Sequence, residues 1–338
     1  MRDSIKNMES LLQDVAPKPR STIVWGTALV LAALPFVVST PLATEILIWA
    51  IFGIGFNLLL GYTGVLSFGH SAYFGMGAYG MGLALRYWHV GVLGGLAVGI
   101  VSSMLLACVI GVLAIRSRGV YFAMISLAFG QMLYFLALSP LKHITRGEDG
   151  LTHIPQVDLF FIALHKPRPI YYFILAITVA LLYLTWRILQ SPFGKLLRAF
   201  RENEERAKAC GYNTALVKFF TLVLSAFYGG LAGGLNTLYL NYVPLATLFW
   251  FTSGTIVMMT ILGGKGTFLG PLVGAAVFLF LQNTISLFTP RWELFVGAIF
   301  VIIILVFPGG IIGTLQAALS NRRMAKLQNK AAALPSGG

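Results

Sequence analysis

The residues with the most chemistry in this chain are crowded into one stretch, Ser191–Asn213 (SPFGKLLRAFRENEERAKACGYN). Lys195, Arg198, Arg201, Glu202, Glu204, Glu205, Arg206 and Lys208 all fall within it. Their arrangement is helical. Ser191 is a natural N-cap, and Pro192 takes the first helical position, where its missing N–H costs nothing. Phe193, Leu196, Leu197 and Phe200 recur at i, i+3, i+4 and i+7, which is one apolar face. Arg198 with Glu202, Glu202 with Arg206, and Glu204 with Lys208 are i, i+4 pairs on the remaining surface. Gly211 is a natural C-terminal cap. The spacing predicts one charged amphipathic helix. The chemistry open to it is docking, onto a lipid surface or into a soluble partner.

Other reactive residue types are scattered. His143, Glu148, Asp149 and His153 surround the turn at Arg146–Gly150. Their spacing matches no metal site, and loop chemistry accounts for a glycine-rich acidic turn. Lys265 stands among glycines in Gly263–Gly274 (GGKGTFLGPLVG). A phosphate loop needs G-x-x-x-x-G-K-[ST]; Lys265 is followed by Gly266, and Lys195 by Leu196, so neither qualifies. The chain offers no ATP site of its own and no grouping of Ser, His and acid, so it is not read as an enzyme. No carboxylate sits deep in an apolar segment; Glu45 and Glu293 lie at segment ends. Ion-coupled carriers use intramembrane carboxylates, so the balance moves toward transport powered from outside the membrane. Candidate pore-lining residues are Asn57, Ser67, His70, Gln131 and Thr255. His70 reads two ways, as an ionisable group on a path or as a neutral histidine bonded across helices. Gly61, Gly64 and Gly69, with Gly266, Gly270 and Gly274, are candidates for close helix packing.

These residues must be held by apolar elements. The 338 residues are 57% hydrophobic and only 10% charged, with mean hydropathy +0.82. A soluble domain carries about 25% charged residues. The fold class is therefore all-α, a polytopic membrane protein. The net charge of +13 fits basic cytoplasmic loops rather than nucleic acid. Two cysteines, Cys108 and Cys210, give no disulfide framework.

About ten spans are expected: Ser21–Ser39, Leu42–Leu60, Val65–Leu85, Val92–Ile115, Val120–Ser139, Ile170–Ile188, Phe219–Leu240, Leu245–Leu262, Pro271–Phe288 and Leu294–Phe307. Arg2, Lys6, Lys18 and Arg20 precede the first, and Arg322, Arg323, Lys326 and Lys330 follow the last. Both termini are thus expected in the cytoplasm. The division is a tail at 1–20, a transmembrane domain at 21–313 and a basic tail at 314–338. Within it, a loop at 190–213 faces inward and one at 140–169 outward. Val65–Leu85 is glycine-rich and carries His70, so a broken or re-entrant form is also open. A faint echo links Gly64-x-x-Ser67-Phe68 to Gly264-x-x-Thr267-Phe268.

Five blocks together carry a resemblance: Gly61–Gly80, Arg118–Gly130 (RGVYFAMISLAFG), Gly147–Leu151 (GEDGL), Ser191–Asn213 and Gly263–Gly274. Over roughly Leu42 to Gly313 the chain resembles the LivM-type permease of bacterial branched-chain amino acid ABC transporters. The resemblance implies a multi-pass subunit of the bacterial inner membrane that forms half of a path for aliphatic amino acids. Urea or short-chain amides are a sister substrate class. It also implies an EAA-type loop that docks into a groove on an ATPase. Glu205, Ala207 and Gly211 fall on its E-x-A-x-x-x-G skeleton, with Arg206 in place of the middle alanine. In that light Phe193, Gly194, Arg198, Arg201, Glu202, Asn203, Glu205, Arg206, Ala207 and Gly211 form a coupling helix. The implied partners are a second homologous permease subunit, two ABC ATPase subunits that bind the ATP and Mg, a periplasmic amino-acid-binding protein and the lipid bilayer. No cofactor in this chain and no nucleic acid are implied. The alternative is an ATP-independent carrier or channel, with the charged helix a lipid-surface element.

Overall fold

The computed structural model describes residues 21–319, apart from 115, 118 and 160–162. The expected tail at 1–20, most of the tail at 314–338, and Arg118 lie outside the described residues. The described residues are all-α in their regular elements, with isolated bridge residues such as Leu151, paired antiparallel with Val243. The main helices are α1 Ser21–Ala33, α2 Thr40–Leu60, α3 His70–Tyr87, α4 Val92–Ala114, α5 Val120–Leu138 and α6 Pro167–Gln190. They continue as α7 Pro192–Glu202, α8 Glu204–Ala209, α9 Thr214–Leu240, α10 Trp250–Gly263, α11 Gly270–Ser286 and α12 Trp292–Val306. Prolines stand in the opening turns of α2, α6, α7 and α11, where a missing N–H is harmless.

Six helical runs among the described residues are long and apolar enough to cross a membrane: α2, α4, α5, α6, α9 and Trp292–Leu319, which begins with α12. The chain is a multi-pass membrane protein. The other four expected spans take different forms. α1 gives way to a 3-10 turn, Leu34–Phe36, at Pro35. The span expected at Val65–Leu85 is helical only from His70, because residues 61–69 leave the helix. Gly64 adopts φ +76° there, and the Thr63 hydroxyl turns back onto the Leu59 carbonyl. The span expected at Leu245–Leu262 starts with a 3-10 turn, Leu245–Leu248, before α10. α11 ends at Ser286, short of Phe288.

α2 is apolar on every side and buried along nearly its whole length, which makes it the central helix. α9, α11, α6 and α10 surround it, and α3 packs against α9 and α4. The outer helices expose Leu29, Leu105, Val112, Met124 and Leu305. Such a surface is a liability in water and ordinary in lipid. Lipid supplies little hydrophobic force between helices, so close backbone approach has to hold them. A Cβ on Gly77 would overlap the Gly230 carbonyl, and one on Gly233 the Phe74 carbonyl.

At the far end from α7, Arg86 Nη1 donates to the Thr152 carbonyl at 2.7 Å. The Tyr242 hydroxyl donates to the Asp149 carbonyl at 2.9 Å. These bonds, with the Leu151–Val243 bridge, tie the loop at 140–169 to the ends of α3 and α9. Within that loop, His165 bonds Asp158 at 3.1 Å and holds its carboxyl below the usual carboxylate range.

Gly77→Val is expected to destabilise the bundle by about 1–3 kcal/mol or more, the usual cost of overpacking. Gly297→Ala, with open space around it, is expected to change little. A thermal ramp read by size-exclusion in detergent checks this; equal melting of the two variants would contradict the glycine-mediated contact.

Candidate functional site

The charged stretch is built from its first residue onward. α6 ends at Gln190 and α7 begins at Pro192, so Ser191 alone turns the chain. Its Oγ accepts from the Gly194 N–H at 3.4 Å and donates to the Ile188 carbonyl at 2.6 Å. Gly194 is buried in the angle between the helices. A Cβ there would sit 2.5 Å from the Ile188 oxygen and 2.6 Å from the Leu189 Cα, which only glycine avoids. Leu197 and Phe200 are buried, and Phe193 and Leu196 are half-buried. The predicted apolar face is thus packed against protein, and Lys195, Arg198, Arg201 and Glu202 lie on the outside.

The single helix expected here is two. Asn203 is extended, with φ −161° and ψ 104°, and its Oδ1 accepts the Arg206 N–H at 2.9 Å as the N-cap of α8. Asparagine competes with helical backbone bonding through this side-chain contact. The break puts Glu202 and Arg206 on different helices, so their expected i, i+4 pairing is lost. Glu204 Oε1 instead meets Lys218 Nζ of α9 at 2.9 Å. Lys218 is only 6% exposed and also lies 5.4 Å from the centre of the Phe200 ring. A buried charge persists only when paired, so this contact pins α7 and α8 to α9. No helical spacing links Glu204 to Lys218, and sequence reasoning missed it.

α8 closes with the Gly211 N–H on the Lys208 carbonyl at 3.0 Å and the Tyr212 N–H on the Ala207 carbonyl at 3.3 Å. This is a Schellman cap, and Gly211 supplies its φ of +88°. Ala207 is buried, while Glu205 and Arg206 are on the surface.

A further contact joins this stretch to α2. Arg201 Nη1 donates to the Gly61 carbonyl at 2.5 Å. Gly61 caps the C-terminal end of α2, where a cation is favourable against the helix dipole. One turn earlier, Asn57 is 2% exposed. Its Nδ2 donates to the Thr267 carbonyl at 2.9 Å, and its Oδ1 accepts the Gly266 N–H at 2.8 Å. A Cβ on Gly61 would sit 2.5 Å from the Gly266 nitrogen, so the approach depends on glycine. α7, the end of α2 and the turn between α10 and α11 therefore meet at one junction.

The six packing glycines divide accordingly. Gly266 has φ +78° and belongs to that turn rather than to a helical stripe with Gly270 and Gly274. Gly270 and Gly274 do bring α11 onto α10: added Cβ atoms would overlap the Gly264 and Met259 carbonyls. Gly61, Gly64 and Gly69 lie outside the helices, in the turn and approach that precede α3. A Cβ on Gly69 would overlap the Ser126 carbonyl of α5.

The five candidate pore-lining residues do not converge. Asn57 belongs to the junction. Ser67 and His70 are fully buried. His70 Nε2 lies 2.8 Å from Ser225 Oγ, which donates to the Gly55 carbonyl at 2.7 Å. The Phe56 and Tyr73 rings pack edge-on against the imidazole. His70 thus joins α2, α3 and α9 as an interhelical polar contact. Thr255 is buried, with its hydroxyl on the Phe251 carbonyl at 3.0 Å. Gln131 is half-buried, and its Nε2 has no hydrogen-bond partner among the described residues. None of the five lines the cavity of about 670 Å³ that opens beside α7, between residues 63–68, the start of α5, and Lys218. Among the described residues no group of three His, Cys, Asp or Glu could hold a metal ion.

Asn57→Leu is expected to leave the Gly266 N–H and the Thr267 carbonyl unpaired. Each unsatisfied buried group costs about 1–3 kcal/mol. A clear drop in melting temperature in detergent is the expected result, and a wild-type melting curve would contradict the junction's role.

Residues 38–306 match the family described as branched-chain amino acid transport system / permease component. The chain is 26% identical over 331 residues to the high-affinity branched-chain amino acid transport system permease protein LivM of Escherichia coli (strain K12), covering 90% of this chain and 76% of that protein. It is 24% identical over 328 residues to the probable branched-chain amino acid transport permease protein LivM of Methanocaldococcus jannaschii, covering 81% and 94%. It is 30% identical over 127 residues to the ribose import permease protein RbsC of Haemophilus influenzae, covering 36% and 38%. No solved structure matches the chain.

Proposed function

We propose that this chain, which belongs to the branched-chain amino acid transport system permease family, is the membrane-spanning subunit of an ATP-driven importer. Members of the family are membrane transport components, not enzymes. The chain forms half of a translocation path in the bacterial inner membrane, and a second homologous permease subunit forms the other half. It crosses the membrane about ten times, with both termini and the loop at 190–213 in the cytoplasm. Its partners are two ATPase subunits, which bind the ATP and Mg, and a periplasmic binding protein that docks at the loop 140–169. The cargo is a branched-chain amino acid. The LivM relatives support this; RbsC is a sugar permease by name and matches over a shorter stretch.

The observation that carries the coupling role is the anchored, charged surface of α7 and α8. Its apolar face is used up inside the protein, and its charged face is left for a soluble partner. Closure of the ATPase pair displaces this surface. Arg201 on Gly61, and Asn57 on Gly266 and Thr267, carry the displacement into α2 and the α10–α11 turn. The spans then exchange an outward for an inward opening.

Gly211→Val tests this. Its φ of +88° suits glycine and is a genuine strain for a β-branched residue. The variant is expected to reach the membrane at normal levels while leucine uptake by cells falls at least tenfold. Gly211→Asn, a tolerated left-handed residue, is expected to keep most of the uptake. Wild-type uptake by Gly211→Val would overturn the coupling role. Leucine uptake that persists under vanadate would overturn the ATP-driven reading.

A further inference from the structure

We infer that the open side of α5, together with the open side of α10, is the surface that receives the second permease subunit. The inference rests on the permease reading above and deepens it by assigning the interface. α5 and α10 are both bonded to the start of α3. Ser126 Oγ of α5 accepts the Phe68 N–H at 3.1 Å, and Ser253 Oγ of α10 accepts the Ser71 N–H at 2.7 Å. Toward the far end from α7, the Tyr134 and Phe249 rings lie 5.1 Å apart and bring α5 against the approach to α10.

Along α5, Val120, Met124, Leu127, Gln131 and Tyr134 recur at alternating steps of four and three. That is the spacing of a helix packed lengthwise on another helix. Tyr134 finds its neighbour within the chain. Val120 and Met124 are 73% and 65% exposed, and Leu127 and Gln131 are half-buried. The chain itself therefore leaves most of the stripe open.

Gln131 decides whether lipid or protein covers it. α5 is 19 residues long, about 28 Å, and Gln131 stands just past its middle. Its Nε2 meets no acceptor among the described residues, and a half-turn of the amide points the NH2 outward. Hydrocarbon offers an amide nothing to bond, so a polar group at this depth calls for a protein partner. One polar residue in an apolar stripe of this spacing also fixes which helix pairs with it and in what register. Two other faces differ. The exposed residues of α4, and those of α12 past Glu293, are all apolar, as a lipid-facing surface requires.

On α10, Trp250 is exposed and Val257, Met258 and Ile261 are partly open. They lie three, four or seven positions from Gly254, which therefore stands at the centre of that side. A Cβ on Gly254 would meet nothing within 4 Å. A glycine so placed lets a second helix come close. A soluble ATPase does not reach the middle of a span, so the occupant is itself a membrane-spanning chain.

The test places the photocrosslinker p-benzoylphenylalanine at Met124 or Met258, and at Leu105 of α4 or Ile302 of α12 for comparison, in cells that make the whole assembly. After irradiation the adducts are purified and identified by mass. Met124 and Met258 are expected to give adducts with a permease of this family, and Leu105 and Ile302 none. Permease adducts from Leu105 or Ile302, or none from Met124 and Met258, overturn the inference. A second variant needs no crosslinker. Gln131→Leu is expected to lower the second permease recovered with this chain by about threefold or more, with the melting of the chain alone unchanged. Gln131→Asn, which keeps the amide, is expected to restore most of the recovery. Wild-type recovery with Gln131→Leu overturns the inference and leaves the permease reading standing. Failure of the wild-type chain to recover any second permease overturns the two-permease reading and this inference with it.

Discussion

Asn57 places an amide near the buried end of a largely apolar helix. A buried amide has to be bonded at both of its ends. Here both bonds fall on the backbone of one turn, at Gly266 and Thr267, and they fix the α10–α11 pair against α2. The approach is close enough that Gly61 and Gly266 admit no side chain between them. It leaves the Gly61 carbonyl for Arg201, which bonds α7 directly to the central helix. The position of the charged surface of α7 thus depends on a contact made inside the bundle.

That surface is held at three places. Ser191 and Gly194 fold α7 onto the end of α6, Arg201 ties it to α2, and Glu204 with Lys218 ties α8 to α9. A helix lying on lipid would turn its apolar face to the bilayer. Here Leu197 and Phe200 of that face are 0% and 4% exposed, against protein. A force applied to α7 reaches three spans through bonds rather than through lipid.

How much of this was legible depended on range. The cap at Ser191, the apolar face of α7 and the glycine at position 211 follow from local spacing, and the structure uses them as such. The break at Asn203 was not legible, because the charges on both sides of it continue a helical pattern while the competing side-chain bond is local to one residue. The break before α3 was half legible, since the glycines and His70 left a broken form of this segment open, but the start at His70 depends on backbone geometry such as the positive φ of Gly64. Arg201 with Gly61, Asn57 with Gly266, and Glu204 with Lys218 join distant residues that no period connects. The likeness of the Gly64 and Gly264 motifs has a counterpart in space. Both glycines have positive φ, and helices begin soon after each, at His70 and at Gly270.

The account stands on α7 and α8 being the seat of a separate ATPase. A gentle detergent pull-down of this chain from native membranes, with the bound proteins identified by mass, addresses that directly. Recovery of a soluble ATPase and a second polytopic permease is the predicted result, and substitutions that loosen Arg201 or Lys218 should reduce the ATPase recovered. Recovery of this chain alone, together with ATP-independent uptake in liposomes, would contradict the account and leave the charged stretch without a partner.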